Sequence, residues 1–365
     1  MRYAVLGAGL IGSAAARHLS RLGHDVTLIG PSEPDTWAAH DGVFASHYDE
    51  GRITRRMDRS PFWSRVAAAS LDRYAEIEAA SGIAFHAPVG GLYATHDMGE
   101  VLRTAGELGT AFDALEPAEA TRFGYVLPSH VRVTHEADGA GHISPRKLVA
   151  AQQRIALDQG ATRLCAVVKS VSGREVVTDQ GRHSFDKVLW SAGGFGAPHL
   201  KLPLDVQGRT IVYFEVAEGT GAEMPTLILA DGERIDIYLL PPIRYPDGRT
   251  YLKIGGGPHD RPLLREEDMR AWFKSEGDAE AAKALSSIFH RLAPNVHVLS
   301  ERRSACVTTY TDDLMPVIGQ ISDGVFVATA GCGAGAKCSD ELGRLGAMAM
   351  LGEEVPDISP ARFKA

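Results

Sequence analysis

The feature of this chain that most constrains its fold is a glycine-rich turn near its first residue, Gly7-Ala8-Gly9-Leu10-Ile11-Gly12. The apolar run from Tyr3 to Leu6 precedes the turn, and an alanine-rich amphipathic stretch follows it as far as Leu22. This order predicts a strand, a tight turn and a helix. In such a unit the first glycine permits the sharp turn, the second lets a pyrophosphate approach the backbone, and the third allows close helix packing. The free N–H groups at the start of the helix attract phosphate.

We therefore predict a dinucleotide-binding site at this turn, with a purely structural glycine turn as the alternative. A second predicted strand, from Asp25 to Ile29, supplies the context that the motif requires. The carboxylate expected at the end of that strand, where it would bind a ribose hydroxyl, is replaced by Gly30, and Glu33 or Ser32 is the candidate substitute. The motif alone does not distinguish a nicotinamide cofactor from a flavin.

Charge and composition limit the classes of partner. The 365 residues are 44% apolar and 23% charged, as in ordinary globular proteins, and their number suggests two domains or one large domain. The formal net charge is −8 without a long basic run, so we predict a small-molecule partner and no nucleic acid. No stretch approaches the roughly 18 consecutive apolar residues that span a membrane, so we predict a cytoplasmic protein without membrane contact.

The four cysteines, Cys165, Cys306, Cys332 and Cys338, form no CxxC pair. This usage suits reduced thiols better than a disulfide framework. A functional cysteine in this chain is therefore expected to act through the reactivity of its thiol and not through a structural disulfide.

A second contact with the dinucleotide is predicted after a buried strand from Lys187 to Trp190. The strand ends in Ser191-Ala192-Gly193-Gly194, and such small residues bring the backbone close to a flat, bulky group. Capped helices are predicted from Ser60-Pro61 to Gly82 and from Ser144-Pro145 to Gly160, because serine caps a helix and proline favours its first turn.

Longer strands, at Thr210 to Val216, Ile235 to Leu240 and Thr250 to Ile254, predict an antiparallel sheet. The last segment returns to the first pattern, with a strand from Gly324 to Ala328 and a helix from Ser339 to Leu351. We predict a mixed α/β (α+β) fold in which a Rossmann-like cofactor domain is interleaved with an antiparallel-sheet substrate or lid domain. The predicted cofactor domain comprises 1–85, 143–205 and 300–365, and the lid comprises 86–142 and 206–299.

In this order and spacing, four segments resemble the D-amino acid oxidase family of FAD enzymes, most closely its monomeric sarcosine oxidase and N-methyltryptophan oxidase branch. They are Gly7 to Gly12, Ser46-His47 through Arg52 and Arg55, Leu252-Lys253-Ile254-Gly255, and Cys306 through Gly319 with the glycine-rich loop ending at Lys337. The resemblance runs along essentially the whole chain and implies that the cofactor is FAD.

In that branch a cysteine, followed by Thr five and Asp seven residues later, carries the flavin through a thioether. Cys306, Thr311 and Asp313 match this pattern, whereas Asp312 stands where the family has proline. The resemblance therefore implies covalent attachment through Cys306. The alternative is a buried cysteine that packs as a small apolar side chain.

The resemblance implies roles for two arginines and a lysine. Arg52 is expected beside the flavin, and Arg55 on the substrate carboxylate, for which a planar guanidinium is well suited. Lys337 matches the lysine that completes this carboxylate clamp. The residues themselves also predict that Lys337 lies before a helix capped by Ser339, where N–H groups favour negative charge. The alternative for the segment with Arg52 and Arg55 is a solvated basic turn. The alternative for Lys337 is a lysine that faces solvent before the helix.

Lys253 ends the predicted strand from Thr250 and matches the lysine that promotes the reaction of reduced flavin with oxygen. A fixed positive charge favours that step electrostatically, while most lysines at strand ends are merely solvated. The branch has Tyr-His after this lysine, but this chain has Gly256-Gly257 and only later His259, and Tyr48 replaces a second histidine.

The residues expected to act in catalysis are thus Lys253, Arg55, Lys337 and Arg52. The residues expected at the cofactor are Gly7, Gly9, Leu10, Ile11, Gly12, Ser46, His47, Arg52, Val168, Ser191, Ala192, Gly193, Cys306, Gly333, Gly335 and Lys337. The histidines show no HExxH motif or paired-cysteine spacing, so no metal site is predicted.

The implied activity is oxidation of the C–N bond of an amino acid, in particular an N-alkylated, sarcosine-like one. Hydride passes to the flavin, the imine hydrolyses, and oxygen is converted to hydrogen peroxide. The expected partners are a small amine or amino acid and oxygen, and the protein is expected to be a monomer or weak homodimer. The alternatives are an FAD-dependent dehydrogenase with another electron acceptor, a nicotinamide-linked dehydrogenase and a non-enzymatic flavoprotein module.

Overall fold

The computed structural model describes residues 1–36, 39–231, 236–257, 260–355 and 358–363. In chain order the strands are β1 (Arg2–Leu6), β2 (Asp25–Ile29), β3 (Arg52–Thr54), β4 (His86–Ala87), β5 (Gly91–Thr95), β6 (Asp113–Leu115), β7 (Arg132–Glu136), β8 (Gly141–Ile143), β9 (Thr162–Leu164), β10 (Val168–Ser172), β11 (Glu175–Thr178), β12 (Gly181–Ser184), β13 (Lys187–Trp190), β14 (Asp205–Val216), β15 (Thr226–Ala230), β16 (Asp236–Arg244), β17 (Thr250–Gly256), β18 (Arg261–Pro262), β19 (Ser300–Tyr310), β20 (Val317–Ser322) and β21 (Val325–Thr329). The α-helices are α1 (Leu10–Arg21), α2 (Pro61–Ser81), α3 (Gly99–Leu108), α4 (Pro145–Asp158), α5 (Gly193–Gly196), α6 (Glu266–Lys274), α7 (Ala279–Leu292) and α8 (Ser339–Leu351).

The glycine-rich turn belongs to a six-stranded sheet with the order β20-β21-β13-β1-β2-β9. Neighbouring strands are parallel except for β20 and β21, which are antiparallel. Helices α1, α2, α4 and α8 cover it, and their apolar faces share one core with the sheet. Because β1 and β13 are parallel neighbours, the glycine turn and the small residues after Trp190 meet at one edge of the sheet.

Local sequence signals explain the covering helices. The Ser60 hydroxyl accepts a hydrogen bond from the N–H of Trp63, Pro61 occupies the first turn of α2, and Gly82 ends the helix with φ of 68°. The Ser144 hydroxyl caps α4 in the same way, by accepting from the N–H of Lys147. Both predicted helices are confirmed.

The second large sheet contains nine strands. Its order is β18-β14-β17-β16-β15-β5-β7-β6, and β19 also pairs with β14. The pairs are antiparallel except for β15 and β5, which are parallel. Helix α7 packs on this sheet through Leu285 and Phe289.

Two smaller sheets complete the fold. Strands β10, β11 and β12 form an antiparallel sheet, and β3, β8 and β4 form another that begins at Arg52. The predicted mixed α/β fold class is therefore confirmed. The division into two interleaved domains stays a prediction; β19, within the predicted cofactor domain, pairs with β14 along its length.

Several predicted boundaries differ from the structure. Lys253 lies inside β17 and not at its end, because the strand continues to Gly256. Ser339 is the first residue of α8 and not its cap; the Ser339 hydroxyl donates to the carbonyl of Ala336. Ile235 and His259 lie outside the described residues.

Across the described ranges, no helix is both long and apolar enough to cross a membrane.

Candidate active site

The glycines of the N-terminal turn differ in what surrounds them. Gly7 has φ of 106°, and a Cβ atom there would lie 2.5 Å from the carbonyl oxygen of Ser191. A Cβ atom on Gly12 would lie 1.9 Å from the carbonyl oxygen of Gly7. At Gly9, by contrast, a Cβ atom would meet only the Nδ1 atom of His47, at 3.7 Å. Packing therefore excludes side chains at the first and third glycines, and the second borders open space.

The Gly12→Ala variant is expected to lose most of its bound flavin and to unfold several degrees below the wild type. The added methyl group clashes with the backbone of Gly7, and overpacking of this kind costs about 3 kcal/mol. Flavin absorbance per protein and the Tm of the purified variant test this. Gly106→Ala in α3 is the matched control, because nothing lies within 4 Å of its Cβ position. Full flavin content in Gly12→Ala would contradict the packing argument.

An open cavity follows the edge of the six-stranded sheet and continues to the nine-stranded sheet. The cavity runs from the glycine turn at Gly7 to Cys306 on β19, and a dinucleotide is expected to bind along such a cleft at the carboxyl ends of parallel strands. The lining residues are Gly7, Ala8, Gly9, Leu10, Ile11, Pro31, Val43, Phe44, Ala45, Ser46, His47, Tyr48, Arg52, Ser191, Ala192, Gly193, Gly194, Phe195, Phe273, Cys306, Val307, Thr308, Thr309, Thr329, Ala330, Gly331, Gly333, Gly335 and Ala336.

Most of the residues predicted at the cofactor line this cavity. Gly12 lies behind the wall, where it packs against Gly7. Lys337 directly follows the lining residue Ala336. Val168 does not line the cavity; it starts β10 and packs with an apolar cluster beside the six-stranded sheet. The glycine cradle, the start of α1 and the small residues after β13 fit the pyrophosphate and nucleoside of a dinucleotide.

Arg52 and Cys306 meet at the end of the cavity that borders the nine-stranded sheet. The Arg52 Nη2 atom lies 3.6 Å from the Cys306 Sγ atom and donates to the carbonyl of Ser46 at 2.8 Å. The Ser46 hydroxyl donates to the carbonyl of Val307 at 2.9 Å. These contacts join the loop after β2 to β19 and place a cation beside a partly exposed thiol.

Asp49 is a buried carboxylate that binds both Lys253 and Arg52. The Lys253 Nζ atom donates to Asp49 Oδ2 at 2.7 Å, and Arg52 donates to the same oxygen. Lys253 also donates to the carbonyl of Gly51. Two positive charges share one negative charge, so the formal charge of the three side chains is +1. Burial and the Arg52 guanidinium lower the pKa of Lys253 well below its ordinary value.

Two tyrosines complete the surroundings of Asp49. The Tyr245 hydroxyl donates to Asp49 Oδ1 at 2.9 Å, and the Tyr213 hydroxyl does so at 3.4 Å. The Arg302 guanidinium stacks on the outer side of Tyr213, at 4.2 Å from the ring centroid. Lys253 is fully buried in this cluster. It lies behind Arg52, and Arg52 is the cation of the cluster that reaches the cavity wall.

A second ionic cluster brings Arg55 and Lys337 together on Asp58. The Lys337 Nζ atom donates to Asp58 Oδ2 at 2.9 Å, and Arg55 Nη2 donates to the same oxygen at 3.0 Å. The Arg55 guanidinium lies 5.5 Å from the centroid of the Tyr93 ring. The two residues of the predicted carboxylate clamp are therefore neighbours, although 282 positions, 337 minus 55, separate them in the chain.

Three polar residues that the sequence analysis discussed, His47, Glu33 and Tyr48, lie near the nucleotide end of the cavity. Burial, followed by the charges of Arg146, Arg52 and Arg163, lowers the pKa of His47 to about 3, so this lining histidine is neutral at physiological pH. Arg146 binds the candidate ribose partner Glu33, with Nε and Nη2 at 2.9 Å and 2.6 Å from its Oε1 atom. Tyr48, in place of the family's histidine, donates to the carbonyl of Ser32 at 3.3 Å.

Sequence reasoning missed Asp49 and Asp58, the acidic residues on which the two clusters depend. Both lie within three residues of an arginine that was singled out, and this proximity was the available signal. It also missed Phe44, Phe195 and Phe273, which line the cavity and stack on one another. The three rings come from segments that are far apart in the chain, so no local sequence pattern predicts that they lie together.

The fold and cavity define a protein of the dinucleotide-binding class. The sequence matches the model of the DAO family, described as FAD-dependent oxidoreductases, over residues 2–348. The chain therefore belongs to this family, which confirms the predicted family, the FAD cofactor and the enzymatic nature of the protein. It is an FAD-dependent enzyme of the amino acid or amine oxidase and dehydrogenase type.

Solved structures share the fold along almost the whole chain. L-proline dehydrogenase from P. horikoshii is 18% identical, with a TM-score of 0.78 over 100% of this chain and 97% of its own. Iminodiacetate oxidase from Chelativorans sp. BNC1 is 20% identical, with a TM-score of 0.71 over 98% and 99%. Amadoriase I, a fructosyl amine:oxygen oxidoreductase from Aspergillus fumigatus, is 20% identical, with a TM-score of 0.74 over 98% and 89%. No sequence among curated proteins matches the chain.

Proposed function

We propose that this enzyme oxidises the C–N bond of an amino acid, in particular an N-alkylated one of the sarcosine type, with oxygen as the electron acceptor. The products are an imine, which water hydrolyses, and hydrogen peroxide. The flavin, when bound, supplies the electron sink for the hydride that leaves the carbon next to nitrogen. The chain itself binds and orients the substrate and provides fixed charge.

The observation that carries this proposal is the pairing of Arg55 and Lys337 on Asp58, in segments of the chain that also contribute lining residues to the cavity. Lys337 follows Ala336 in the cavity wall, and Arg55 lies three residues after Arg52, which also lines the cavity. A carboxylate bound by these two cations would be held close to the flavin end of the cavity. The neutral amine would then need only orientation, because a neutral nitrogen requires no side-chain base before hydride leaves the adjacent carbon.

Anaerobic bleaching tests the proposal directly. The purified enzyme is mixed without oxygen with N-methyl, cyclic and D-amino acids, and the loss of flavin absorbance is followed. At least one N-alkylated amino acid is expected to bleach the flavin, and air is expected to restore the colour with release of hydrogen peroxide. A flavin that no amine bleaches would contradict the proposal and would favour a non-enzymatic flavoprotein.

A dehydrogenase that uses another electron acceptor is the second candidate, and one observation favours it. Asp49 neutralises one of the two positive charges of Lys253 and Arg52, and positive charge near the flavin favours the reaction with oxygen. Stopped-flow reoxidation in aerated buffer separates the two functions. Slow return of the colour in air, together with rapid return with an artificial acceptor, would favour the dehydrogenase.

The same proposal includes the attachment of the flavin, the class of partner, and the location and oligomeric state of the protein. We propose that FAD is attached through Cys306, which lines the cavity beside Arg52. The charge of −8 supports a small-molecule enzyme without nucleic acid partners. The cytoplasmic location and the monomeric or weakly dimeric state stay predictions.

A further inference from the structure

The cluster of Arg55, Lys337 and Asp58 carries one positive charge in excess. Both cations donate to one oxygen of Asp58, Oδ2, at 3.0 Å and 2.9 Å. The other oxygen, Oδ1, accepts the backbone N–H of Ser60 at 3.3 Å. Two positive charges less one negative charge leave these three side chains with a formal charge of +1. The buried carboxyl group of Glu136 also interacts with Arg55 and Lys337, and burial raises its pKa. Asp58 is thus an internal carboxylate bound where the proposed function also places the carboxylate of the substrate.

The guanidinium of Arg55 has a hydrogen-bond donor that its pairing with Asp58 does not use. Its Nε atom is buried and has no hydrogen-bond partner within the part of the chain that the structure describes. The Nη2 atom is bound to Asp58, and the plane of the guanidinium lies near the Tyr93 ring. A buried N–H group without a partner costs free energy, and a carboxylate is the group that best satisfies it.

Asp58 is held in place from its own segment. The carboxylate of Glu136 accepts the backbone N–H groups of Arg56, at 2.8 Å, and of Met57, at 3.0 Å. Ser60, two residues after Asp58, caps α2. The turn between Arg55 and α2 is therefore fixed at both ends, and the position of the Asp58 carboxylate follows from the backbone.

The charge of Asp58 is also fixed. Burial raises the pKa of a carboxyl group, but the charges of Lys337 and Arg55 outweigh this effect and lower the pKa of Asp58 to about 2. Asp58 is therefore ionised throughout the pH range in which enzymes of this type are studied. Its repulsion of other anions does not depend on pH in that range.

We propose that Asp58 is a specificity-determining residue that restricts this site to substrates with a single carboxylate. The proposal rests on the proposed function, because it takes Arg55 and Lys337 as the residues that bind the substrate carboxylate. One carboxylate brings the formal charge of the cluster from +1 to zero. A second carboxylate on the same substrate makes the cluster negative and lies close to the charge of Asp58, so dicarboxylates are disfavoured.

Anion binding to the flavin-containing enzyme tests this without turnover. Acetate and malonate are titrated by calorimetry into the wild type and into Asp58→Asn. In the variant the Kd of acetate is expected to fall about tenfold and that of malonate about a hundredfold, because one nearby negative charge is removed and malonate carries two charges. The rise in the malonate-to-acetate affinity ratio is the decisive quantity. Unchanged or weaker binding of both anions would overturn the proposal.

Two further variants complete the design. Asp72→Asn is the matched control, because Asp72 pairs with the adjacent Arg56 at 2.8 Å but on an exposed surface. It is expected to change neither Kd by more than about twofold. Asp58→Ser removes the charge and keeps an oxygen that can accept the N–H of Ser60, so it serves if Asp58→Asn does not fold. Failure of both variants to fold would assign Asp58 to the fold alone and would also overturn the proposal.

The outcomes separate this inference from the proposed function. If no amine bleaches the wild-type flavin but Asp58→Asn raises the malonate-to-acetate ratio, the inference stands and the proposed activity fails. If an amine bleaches the flavin but the ratio does not change, the activity stands and the inference fails. Arg55→Met is expected to weaken acetate binding at least tenfold, because it removes the guanidinium.

Discussion

The Cys306→Ala variant is expected to release all of its flavin when the protein is precipitated with acid, whereas the wild-type precipitate stays yellow. The Cys306 Sγ atom lines the cavity and lies 3.6 Å from Arg52 Nη2. The Arg52 guanidinium therefore places a positive charge beside the sulfur atom that would bond to the flavin. The thioether would replace the thiol S–H bond and one C–H bond of the flavin methyl group, and oxygen, as the oxidant, would take up the two electrons and two protons as hydrogen peroxide. The yellow colour in pellet and supernatant measures the result.

The other cysteines provide the control for this experiment. Cys165 is exposed and is not among the residues that line the cavity, so Cys165→Ala is expected to keep its acid-stable colour. Arg52→Met is expected to slow attachment when the apoprotein is mixed with FAD, because the Cys306 Sγ atom loses its neighbouring cation. Flavin found wholly in the wild-type supernatant would rule out the tether and leave Cys306 as a cysteine that only lines the cavity.

Much of the cofactor end of the molecule is predictable from local sequence. The strand, glycine turn and helix at Gly7 to Gly12 depend on residues that are adjacent in the chain, and so do the serine caps of α2 and α4. The small residues after Trp190 predict a cofactor contact at the end of β13, and β13 pairs with β1 as the cofactor site requires. These signals come from residues that are adjacent in the chain, and the tertiary packing is consistent with the local structure that they favour.

The ionic clusters could not be predicted in the same way. Asp49 binds Lys253 across 204 positions and Asp58 binds Lys337 across 279, so neither contact has a periodicity or spacing that identifies it. The position of Lys253 inside β17 is also not predictable from local sequence, because the glycines after it indicate the end of a strand. Pairing with β14 and β16 on both sides extends the strand through them.

The Lys253→Met variant is expected to slow reoxidation of the flavin by oxygen at least a hundredfold while changing anaerobic reduction by less than about threefold. With Lys253 present, the cluster of Lys253, Arg52 and Asp49 has a formal charge of +1. Without it, Asp49 neutralises Arg52 and the charge becomes zero. Positive charge fixed near the flavin favours electron transfer to oxygen, whereas the predicted substrate clamp for hydride transfer, Arg55 with Lys337, does not include Lys253. Stopped-flow measurement of the two half-reactions tests this separation.

Two variants show whether the charge or the lysine itself matters. Lys274→Met is the matched control, because Lys274 also pairs with an aspartate at 2.7 Å, Asp41, but in a more exposed place. It is expected to leave both half-reactions unchanged. The double variant Lys253→Met with Asp49→Asn restores the formal charge of +1 through Arg52 alone. Its flavin is expected to be reoxidised at least tenfold faster than that of Lys253→Met. No recovery would mean that Lys253 acts by direct contact.

The pH dependence gives an independent check on the same charge. Burial and Arg52 lower the pKa of Lys253, so its positive charge is lost as the pH rises through that depressed value. Tyr213, Tyr238 and Tyr245 also face this cluster, but burial raises the pKa of each of them, so they remain neutral over the same range. The wild-type reoxidation rate is therefore expected to fall with rising pH below the ordinary lysine range. Lys253→Met is expected to lack this fall, and an unchanged pH profile in the variant would contradict the assignment of the charge to Lys253.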